Sequence, residues 1–407
     1  MHILFLTPQF PYPPHKGTTL RNYNLIAGLA PHHDIDLLTF ADSLPTASPL
    51  DQLCRRIATA PIPRRPNWRR ALDTVLSPWP DMGLRLWSAE FQQQLAAWLR
   101  DDAYDVIQVE GLELARYTLT PSPTLSRRTD RGGHPPLTVF DDHNAEYLLQ
   151  KRIAGAEIAA RGWNAGAVYS SIQWRKLRNF ERRVCRQSDR VVCVSAADAD
   201  AIQRLDPAVK AHVIPNGVDT DFYQREKLPP LTLPPHTLVF TGTMDFRPNV
   251  DAMLWFAQEV LPLLKSHVPA VQVYIVGQRP HARLDALRAD PAITITGAVD
   301  DTRPYIVAAS VYIVPLRMGG GTRLKLLEAL SLQAPIVSTT LGAEGFAVTN
   351  GKELLLADEA AAFARSIVEL IDNRKRARLL GHAGRSFAVQ HYDWRSIVPK
   401  FEEVYNW

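Results

Sequence analysis

The sequence predicts two α/β domains, each built on a doubly wound parallel sheet. Three observations support this prediction. The chain has 407 residues, which is enough for two domains with separate cores. Short apolar segments alternate with helix-length segments in two successive series. A stretch rich in proline and charge separates the two series.

The two series share one pattern of strand and helix. Because strands that alternate with helices pair in parallel, each series predicts a sheet with helices on both faces. The first contains the strand-like segments "HILFLT", "DIDLLTF", "DVIQVE", "LTVFDDH", "RVVCVS" and "AHVIPNG". The second contains "TLVFTGT", "VQVYIVG", "ITITGA", "VYIVPL", "PIVSTT" and "LLLA".

The stretch between the series, "DTDFYQREKLPPLTLPPHT", has the prolines and charges of a linker. It places the linker at residues 218–235, with a first domain over 1–217 and a second over 236–390. Open α/β sheets bind ligands beyond the carboxyl ends of their strands. We therefore expect the functional residues in segments that follow strands.

The composition excludes several classes of protein. Hydrophobic residues make up 46% and charged residues 22%, which argues against disorder, and a net charge of +4 does not by itself indicate nucleic acid. The three cysteines lack CxxC spacing, so neither a disulfide framework nor a zinc site is predicted. The amino terminus lacks the basic start of a signal peptide, and no apolar stretch is long enough to span a bilayer. We expect a cytoplasmic protein, soluble or held on the inner face of the membrane.

The stretch "LRMGGGTRLKLLEAL", residues 316–330, lies between a strand-like segment and an amphipathic helix. Glycines let a ligand approach the main chain, and the first turn of a helix favours anions. The sequence therefore predicts an anion site, with the alternative of a flexible turn before an ordinary helix. Its candidate residues are Gly320, Gly321, Thr322, Arg323 and Lys325.

Other nucleotide-binding signatures are missing from the sequence. The first strand is not followed by GxGxxG, and GxxxxGK[ST] does not occur. A dehydrogenase or a P-loop enzyme is therefore not predicted.

Several segments together resemble the retaining GT-B glycosyltransferases of family 4. They are "ILFLTPQFPYPPHKGTTLRNYNL", "DDHNAE", "VIPNGVDTDFY", "FTGTMDFRPNVDA" and "GGGTRLKLLEALSLQAPIVSTTLGAEGF". The resemblance covers nearly the whole chain, and its opening and GGG segments are most similar to sugar transferases of exopolysaccharide-type systems. It implies two Rossmann-like domains facing a central cleft, a nucleoside diphosphate sugar as donor, and a helix at 391–407 crossing back to the first domain. It also implies that no metal and no cofactor is needed.

The sequence departs from the family pattern at two places. The family motif has two glutamates eight positions apart; Glu328 matches the second, but Gly320 stands in place of the first. The family also has an arginine directly after the glycine at Gly242, where this chain has Thr243. Arg247 is an approximate substitute, and Arg323 and Lys325 are candidates to supply the missing positive charge to the diphosphate.

The resemblance implies a role for several further residues. Glu328 matches the carboxylate that accepts the ribose hydroxyls, a task suited to its two oxygens, with a solvated helix acid as the alternative. Gly17 and Thr18 match the loop that meets the diphosphate and the acceptor, with a plain turn after "PYPPHK" as the alternative. His143 matches the active-site histidine, which contacts the transferred sugar or orients the acceptor; the alternative is a capping or core histidine. Glu110 is a candidate acceptor contact, and Asp141 and Asp142 are interpreted as supporting residues.

The stretch "RRIATAPIPRRPNWRR", residues 55–70, holds six arginines and a tryptophan. Such a patch suits an anionic membrane surface or a polyanionic acceptor, and the alternative is a solvated loop. Arginines interleaved with tryptophan also suit single-stranded nucleic acid, but no RNA-binding motif accompanies them, so no nucleic-acid partner is predicted.

The sequence thus predicts a retaining glycosyltransferase that moves a sugar from a UDP- or GDP-sugar to a glycan, a lipid-linked or a small-molecule acceptor. Two alternatives remain on the same fold. One is a nucleotide-sugar epimerase or hydrolase, and the other is a non-catalytic subunit that binds nucleotide sugar.

Overall fold

The computed structural model describes residues 1–14, 17–43, 47–119, 135–319 and 323–406. The chain divides into two compact units. The first is Met1–Pro215 together with Val398–Trp407, and the second is Asn216–Ile397.

The first unit contains a seven-stranded parallel sheet in the order β3-β2-β1-β4-β5-β6-β7. Its core packs strand residues such as Leu4, Phe40 and Phe140 against the helices. The strands are β1 His2–Thr7, β2 Asp34–Phe40, β3 Arg56–Ala60, β4 Val106–Glu110, β5 Leu137–Asp142, β6 Arg190–Cys193 and β7 Ala211–Val213.

All six strands predicted for the first half are present, and β3 is an additional one. It comes from within the basic stretch and forms an edge of the sheet, where four of its five residues are only half-buried. Because an edge strand needs little apolar surface, "RIATA" lacks the apolar run that revealed the other strands.

Nine helices of the first unit are described. They are α1 Gly17–Leu29, α2 Leu50–Leu53, α3 Asn67–Leu76, α4 Asp81–Arg85, α5 Ala89–Asp101, α6 Arg116–Leu119, α7 Glu146–Arg161, α8 Ala165–Gln187 and α9 Ala196–Leu205.

The second unit contains a six-stranded parallel sheet in the order β10-β9-β8-β11-β12-β13, and all six predicted strands are present. The strands are β8 Thr237–Thr241, β9 Gln272–Val276, β10 Ile293–Gly297, β11 Val311–Val314, β12 Ile336–Ser338 and β13 Leu355–Leu356. The helices are α10 Arg247–Trp255, α11 Leu261–His267, α12 Arg303–Ala308, α13 Leu324–Ser331, α14 Ala360–Asp372 and α15 Arg374–Tyr392. A last helix, α16, spans Trp394–Tyr405 and contributes residues to both units.

Both sheets reverse their strand order once, between β1 and β4 in the first unit and between β8 and β11 in the second. The helices that follow such neighbouring strands lie on opposite faces, which leaves a crevice at the carboxyl ends of the two strands. Each unit therefore has one position where its topology favours a ligand site.

The segment expected to be a linker, residues 218–235, belongs to the second unit. Val218 bridges to Asp393, and the Arg385 guanidinium donates to the carbonyls of Thr220 and Tyr223. These contacts anchor the start of the segment, residues 218–223, within the second unit.

Candidate active site

In the second unit, Lys325 lies in the first turn of α13 and points toward the end of β8. Its Nζ donates to Asn249 Oδ1 at 2.8 Å and lies 4.0 Å from the centre of the Phe240 ring. Burial lowers the pKa of Lys325 to about 7, and the Arg323 charge adds to this effect while Glu328 opposes it. The charged and neutral forms of this amine are therefore comparably populated near pH 7.

Gly242 explains how the main chain reaches this lysine. It follows β8 with φ of 153°, and a Cβ there would come 2.7 Å from Asn249 Nδ2 and 2.8 Å from Lys325 Nζ. A side chain at this position would collide with both groups. The end of β8 therefore presents bare backbone beside a lysine and an amide.

Arg323 directly precedes α13 and is buried. Its Nη2 lies 3.3 Å from the position of a Cβ on Gly319, and Pro248 Cγ lies 3.2 Å from the same point. Burial lowers the pKa of Arg323, against the opposing charge of Glu344. The glycine segment, α13 and the start of α10 thus meet around this guanidinium.

Glu328 lies one turn further along α13 and is half-buried, so it is not a solvated helix acid. The Tyr223 hydroxyl donates to its Oε1 at 3.0 Å. Burial raises the pKa of Glu328, although Tyr223 and Lys325 both act to lower it. Sequence reasoning missed Tyr223, which lies in the segment interpreted as a linker and carries no motif.

The other residues predicted for the donor differ in position. Arg247 is exposed and begins α10, beside Pro248. Gly320, Gly321 and Thr322 lie outside the described residues.

In the first unit, Glu110 ends β4 and His143 follows β5, so adjacent strands bring them together. His143 Nε2 lies 2.8 Å from Glu110 Oε2 and 4.0 Å from Asp141 Oδ2. Burial lowers the pKa of His143, but the hydrogen bond to Glu110 and the charge of Asp141 outweigh it and the pKa is raised. The imidazole thus favours its protonated form.

Glu110 is fully buried, and its neighbours hold it against the histidine. Gln108 Nε2 donates to Oε1 at 2.8 Å, and the Tyr405 hydroxyl donates to Gln108 Oε1 at 3.1 Å. The Asn22 amide, in the orientation that satisfies its hydrogen bonds, donates to Glu110 Oε2 at 2.7 Å. Glu110 therefore contacts His143 and supporting side chains.

Glu110, Asp141 and His143 bring three metal-ligating atoms within 4.8 Å of one another. The cation at this cluster, however, is Arg21. Its guanidinium donates to both Asp141 oxygens at 2.7 and 3.0 Å, and to the carbonyl of Ile214 at 3.1 Å. Asp141 is thus paired with a buried arginine, and its supporting role stays a prediction.

A cavity of about 330 Å³ opens in front of His143. Thr18 lines it, as do Arg85, Glu113 and Glu146, three residues that sequence reasoning missed. Glu110 is not part of the lining, and Gly17 begins α1 directly before Thr18. The cavity is rich in charged and hydrogen-bonding groups, which suits a hydroxylated ligand.

Carboxyl groups with raised pKa values line the cavity or lie next to it. Burial raises the pKa of Glu146 to about 7, and the nearby Glu113 adds to the shift. Burial also raises the pKa of Glu181 to about 8, although the amides of Tyr147 and Glu146 donate to it. Asp142 is buried among these acids and its pKa is raised well above the usual range, first by burial and then by the charge of Glu181.

The six arginines of residues 55–70 do not form one patch. Arg55 and Arg56 pair with Asp36 and Asp102 at the edge of the sheet. Arg65 and Arg70 share Asp81. Arg64 and Arg69 are exposed and have no ion pair among the residues that the structure describes.

Comparison with known families identifies the class of this protein. Residues 16–222 match the family described as "Glycosyltransferase Family 4", and residues 235–373 match "Glycosyl transferases group 1". The chain belongs to glycosyltransferase family 4. The predicted transferase class is thereby confirmed.

Two relatives of this glycosyltransferase have informative names. A Mycobacterium tuberculosis protein named GDP-mannose-dependent alpha-(1-6)-phosphatidylinositol monomannoside mannosyltransferase is 25% identical over 344 residues, which are 75% of this chain and 86% of that protein. An uncharacterized 44.6 kDa protein in the cps region of Klebsiella pneumoniae is 24% identical over 168 residues, 39% of this chain and 43% of the relative.

Solved structures confirm the GT-B fold. Anabaena HepE, crystallised with UDP, superposes with a TM-score of 0.64 at 16% identity and 99% coverage of both chains. Sucrose-phosphate synthase from Thermosynechococcus elongatus gives 0.68 at 17% identity, covering 100% of this chain and 98% of that one. Among the described residues, none of the helices has the length and apolar character needed to cross a membrane.

Proposed function

We propose that this glycosyltransferase moves a sugar, with retention of anomeric configuration, from a UDP- or GDP-sugar to a hydroxyl group of a glycan or lipid-linked acceptor. The observation that carries the proposal is in the second unit. Bare backbone at Gly242, the cations Arg323 and Lys325, and the carboxylate Glu328 all lie where β8 and β11 reverse the strand order.

Each group matches one part of a nucleoside diphosphate. The diphosphate lies against Gly242 and the first turn of α13, where backbone amides and two cationic side chains supply positive charge. Glu328 accepts the ribose hydroxyls, and the hydrogen bond from Tyr223 orients its carboxylate. Gly320, Gly321 and Thr322 would extend the same site, with Arg247 at its margin.

The cations act mainly on the leaving group. When the bond from the anomeric carbon to the phosphate oxygen breaks, its electron pair stays on the diphosphate and negative charge grows there. A new bond from the anomeric carbon to the acceptor oxygen forms as the proton of the acceptor hydroxyl passes to the departing phosphate oxygen. Arg323 and Lys325 stabilise that charge without a metal ion. Arg323 is buried and Lys325 is half-buried, and this partial exclusion of water strengthens their interaction with the diphosphate.

The first unit supplies the acceptor side. The cavity in front of His143 takes the hydroxylated acceptor, with Thr18 in its lining and Gly17 directly before Thr18 in the chain. His143 contacts the transferred sugar or the acceptor, and Glu110 acts through it: buried and hydrogen-bonded to Nε2, it holds the ring and favours the imidazolium. Glu110 is thus a positioning residue in this proposal.

The relatives support the donor class and the setting. The mannosyltransferase is named for a GDP-sugar, HepE was crystallised with UDP, and the Klebsiella relative is encoded in a cps region. We accordingly place this glycosyltransferase in polysaccharide or glycolipid assembly.

Thermal unfolding in the presence of UDP, GDP and ADP tests the donor site, since a ligand that binds only the native state raises its stability. We expect UDP or GDP to raise the melting temperature, and Glu328→Ala to abolish the rise. The matched control is Glu259→Ala, an exposed acid of the second unit outside the ribose position. Equal shifts in Glu328→Ala and the unmodified protein would refute the assignment. Assaying the release of nucleoside diphosphate with and without an acceptor distinguishes a transferase from a hydrolase. A transferase forms product only when the acceptor is present, whereas a hydrolase does not need it.

A further inference from the structure

Helix α3, Asn67–Leu76, turns its apolar side away from the protein. Trp68, Leu72, Val75 and Leu76 are 69%, 49%, 75% and 71% exposed. Their spacing of four, three and one residues places them on one stripe of an α-helix. We call these four side chains the outer stripe.

The polar side of α3 faces inward and is held by specific bonds. Thr74 is buried, and its hydroxyl accepts from Gln173 Nε2 at 3.2 Å. Lys176 Nζ donates to the Thr74 carbonyl at 2.7 Å, and Arg65 pairs with Asp73 at 2.6 Å. Rotating the helix to bury the outer stripe would break these bonds, so the exposure of the stripe is a specified feature of the fold.

Helix α8 runs beside α3 in the same direction. Arg70 of α3 bonds to Tyr169 of α8, and Thr74 of α3 bonds to Gln173 of α8. The second contact lies four residues further along both helices, so the two helices run parallel. The turn that precedes α8 therefore lies toward the start of α3. It carries another exposed tryptophan, Trp163, with 69% of its surface exposed.

The exposed charges of residues 64–76 that have no ion pair among the described residues are both positive. Arg64 and Arg69 are exposed and have no ion pair among the described residues. The acid of the helix, Asp73, is turned inward and paired with Arg65. A surface that combines apolar side chains, tryptophan and unpaired arginines is complementary to phosphate headgroups over hydrocarbon.

We propose that the outer stripe docks this protein on an anionic lipid bilayer. Trp68, Leu72, Val75 and Leu76 enter the boundary between headgroups and acyl chains, while Arg64 and Arg69 contact lipid phosphates. The ten residues of α3 make a shallow contact, and the two arginines add the electrostatic attraction that such a contact needs. Of the six arginines in residues 55–70 that the sequence suggested for a membrane contact, this proposal keeps only Arg64 and Arg69. It adds the apolar surface of α3, which sequence reasoning did not identify.

The test is co-sedimentation with vesicles of phosphatidylcholine alone or mixed with phosphatidylglycerol. The full chain should bind only the anionic vesicles. Trp68→Ser with Val75→Ser should lower the partition coefficient at least about 10-fold, because two large side chains lose their apolar burial. The matched control is Leu263→Ser with Leu379→Ser, two exposed leucines of the second unit, and it should bind like the unmodified protein.

The electrostatic part is tested by Arg64→Gln with Arg69→Gln. Binding should fall, and the difference from the unmodified protein should shrink as salt is added. Arg374→Gln with Arg378→Gln removes equal charge from exposed positions of α15 and should have little effect. The nucleotide-induced rise in melting temperature should persist in every variant, which shows that each is folded and separates this proposal from the proposed function.

Two results would overturn the proposal. One is equal vesicle binding by Trp68→Ser with Val75→Ser and by the unmodified protein. The other is an unmodified protein that does not bind vesicles but forms dimers in light scattering, while Trp68→Ser with Val75→Ser stays monomeric. The outer stripe would then bind a second copy of the chain.

Discussion

Donor binding should be coupled to the uptake of a proton by Lys325. The pKa of this lysine is lowered to about 7, first by burial and then by Arg323, so at pH 8 about nine-tenths of the protein molecules hold it neutral. A diphosphate placed beside Nζ favours the charged ammonium. If the diphosphate restores a pKa near the ordinary value of about 10.4, binding takes up about 0.9 proton at pH 8 and about 0.1 proton at pH 6.

Isothermal titration calorimetry measures the number of protons taken up on donor binding. The binding enthalpy of UDP-glucose or GDP-mannose, whichever binds, is determined at pH 8 in buffers of different ionisation enthalpy, and the slope gives the protons exchanged. A nucleotide sugar is the better probe, because the terminal phosphate of a free nucleoside diphosphate itself titrates near pH 6.

Lys325→Arg is the matched control, since a guanidinium keeps its charge across this range. It should bind the donor with little proton uptake, whereas Lys325→Met should lose both the uptake and much of the affinity. Two results would refute the placement of Lys325 beside the diphosphate. One is a proton uptake in Lys325→Arg equal to that of the unmodified protein, and the other is the absence of proton uptake by the unmodified protein at pH 8.

Further predictions concern four other residues. Glu328→Ala should weaken donor and free nucleotide alike by about 30-fold to 1000-fold, from the loss of about 2 to 4 kcal/mol in two charged hydrogen bonds; unchanged affinity in calorimetry would contradict the ribose contact. His143→Ala should lower turnover strongly and leave nucleotide affinity nearly intact, so a parallel fall in both would show a structural role. Arg323→Gln should lower kcat about 10-fold to 1000-fold with a smaller change in donor KM, and activity should persist in EDTA; loss on chelation that Mg²⁺ restores would assign the charge to a metal. Because burial raises the pKa of Glu181 to about 8, the folded chain keeps a proton that the unfolded chain releases above about pH 4.5, and the free energy of unfolding should fall by up to about 1.4 kcal/mol per pH unit from pH 5 to 8. Urea unfolding should show a shallower slope for Glu181→Gln, and an identical slope would exclude this carboxyl.

The alternation of apolar strands and helices was sufficient to predict both sheets, because parallel strands buried on both faces are continuous apolar runs. The glycine motif likewise predicted that Lys325 and Glu328 share one helix, since their spacing is local. Tyr223 and Asn249 escaped prediction because they reach this helix from 105 and 76 residues away. Such long-range contacts leave no local pattern.

Contacts with distant residues also limited what could be predicted for the basic stretch, residues 55–70. Its arginines are visible in the sequence, but the acids that neutralise four of them come from other elements, among them Asp36, Asp81 and Asp102. A helical pattern also fixes which residues of α3 share a side without fixing which side faces the protein. Gln173 and Lys176, a hundred residues away, decide that orientation.

The bond from Tyr405 to Gln108 has a consequence for synthesis of the chain. Residues from 398 onward belong to the first unit, and Gln108 holds the glutamate behind His143. The ribosome must therefore make the whole second unit, residues 216–397, before the first can be finished, a delay of about 10 to 40 seconds at bacterial and eukaryotic elongation rates. During that interval the amino-terminal sheet lacks its last helix and the nascent protein is exposed to chaperones. A fragment ending at residue 215 would reproduce this unfinished state, so the isolated first unit should be produced by fusing residues 398–407 to it.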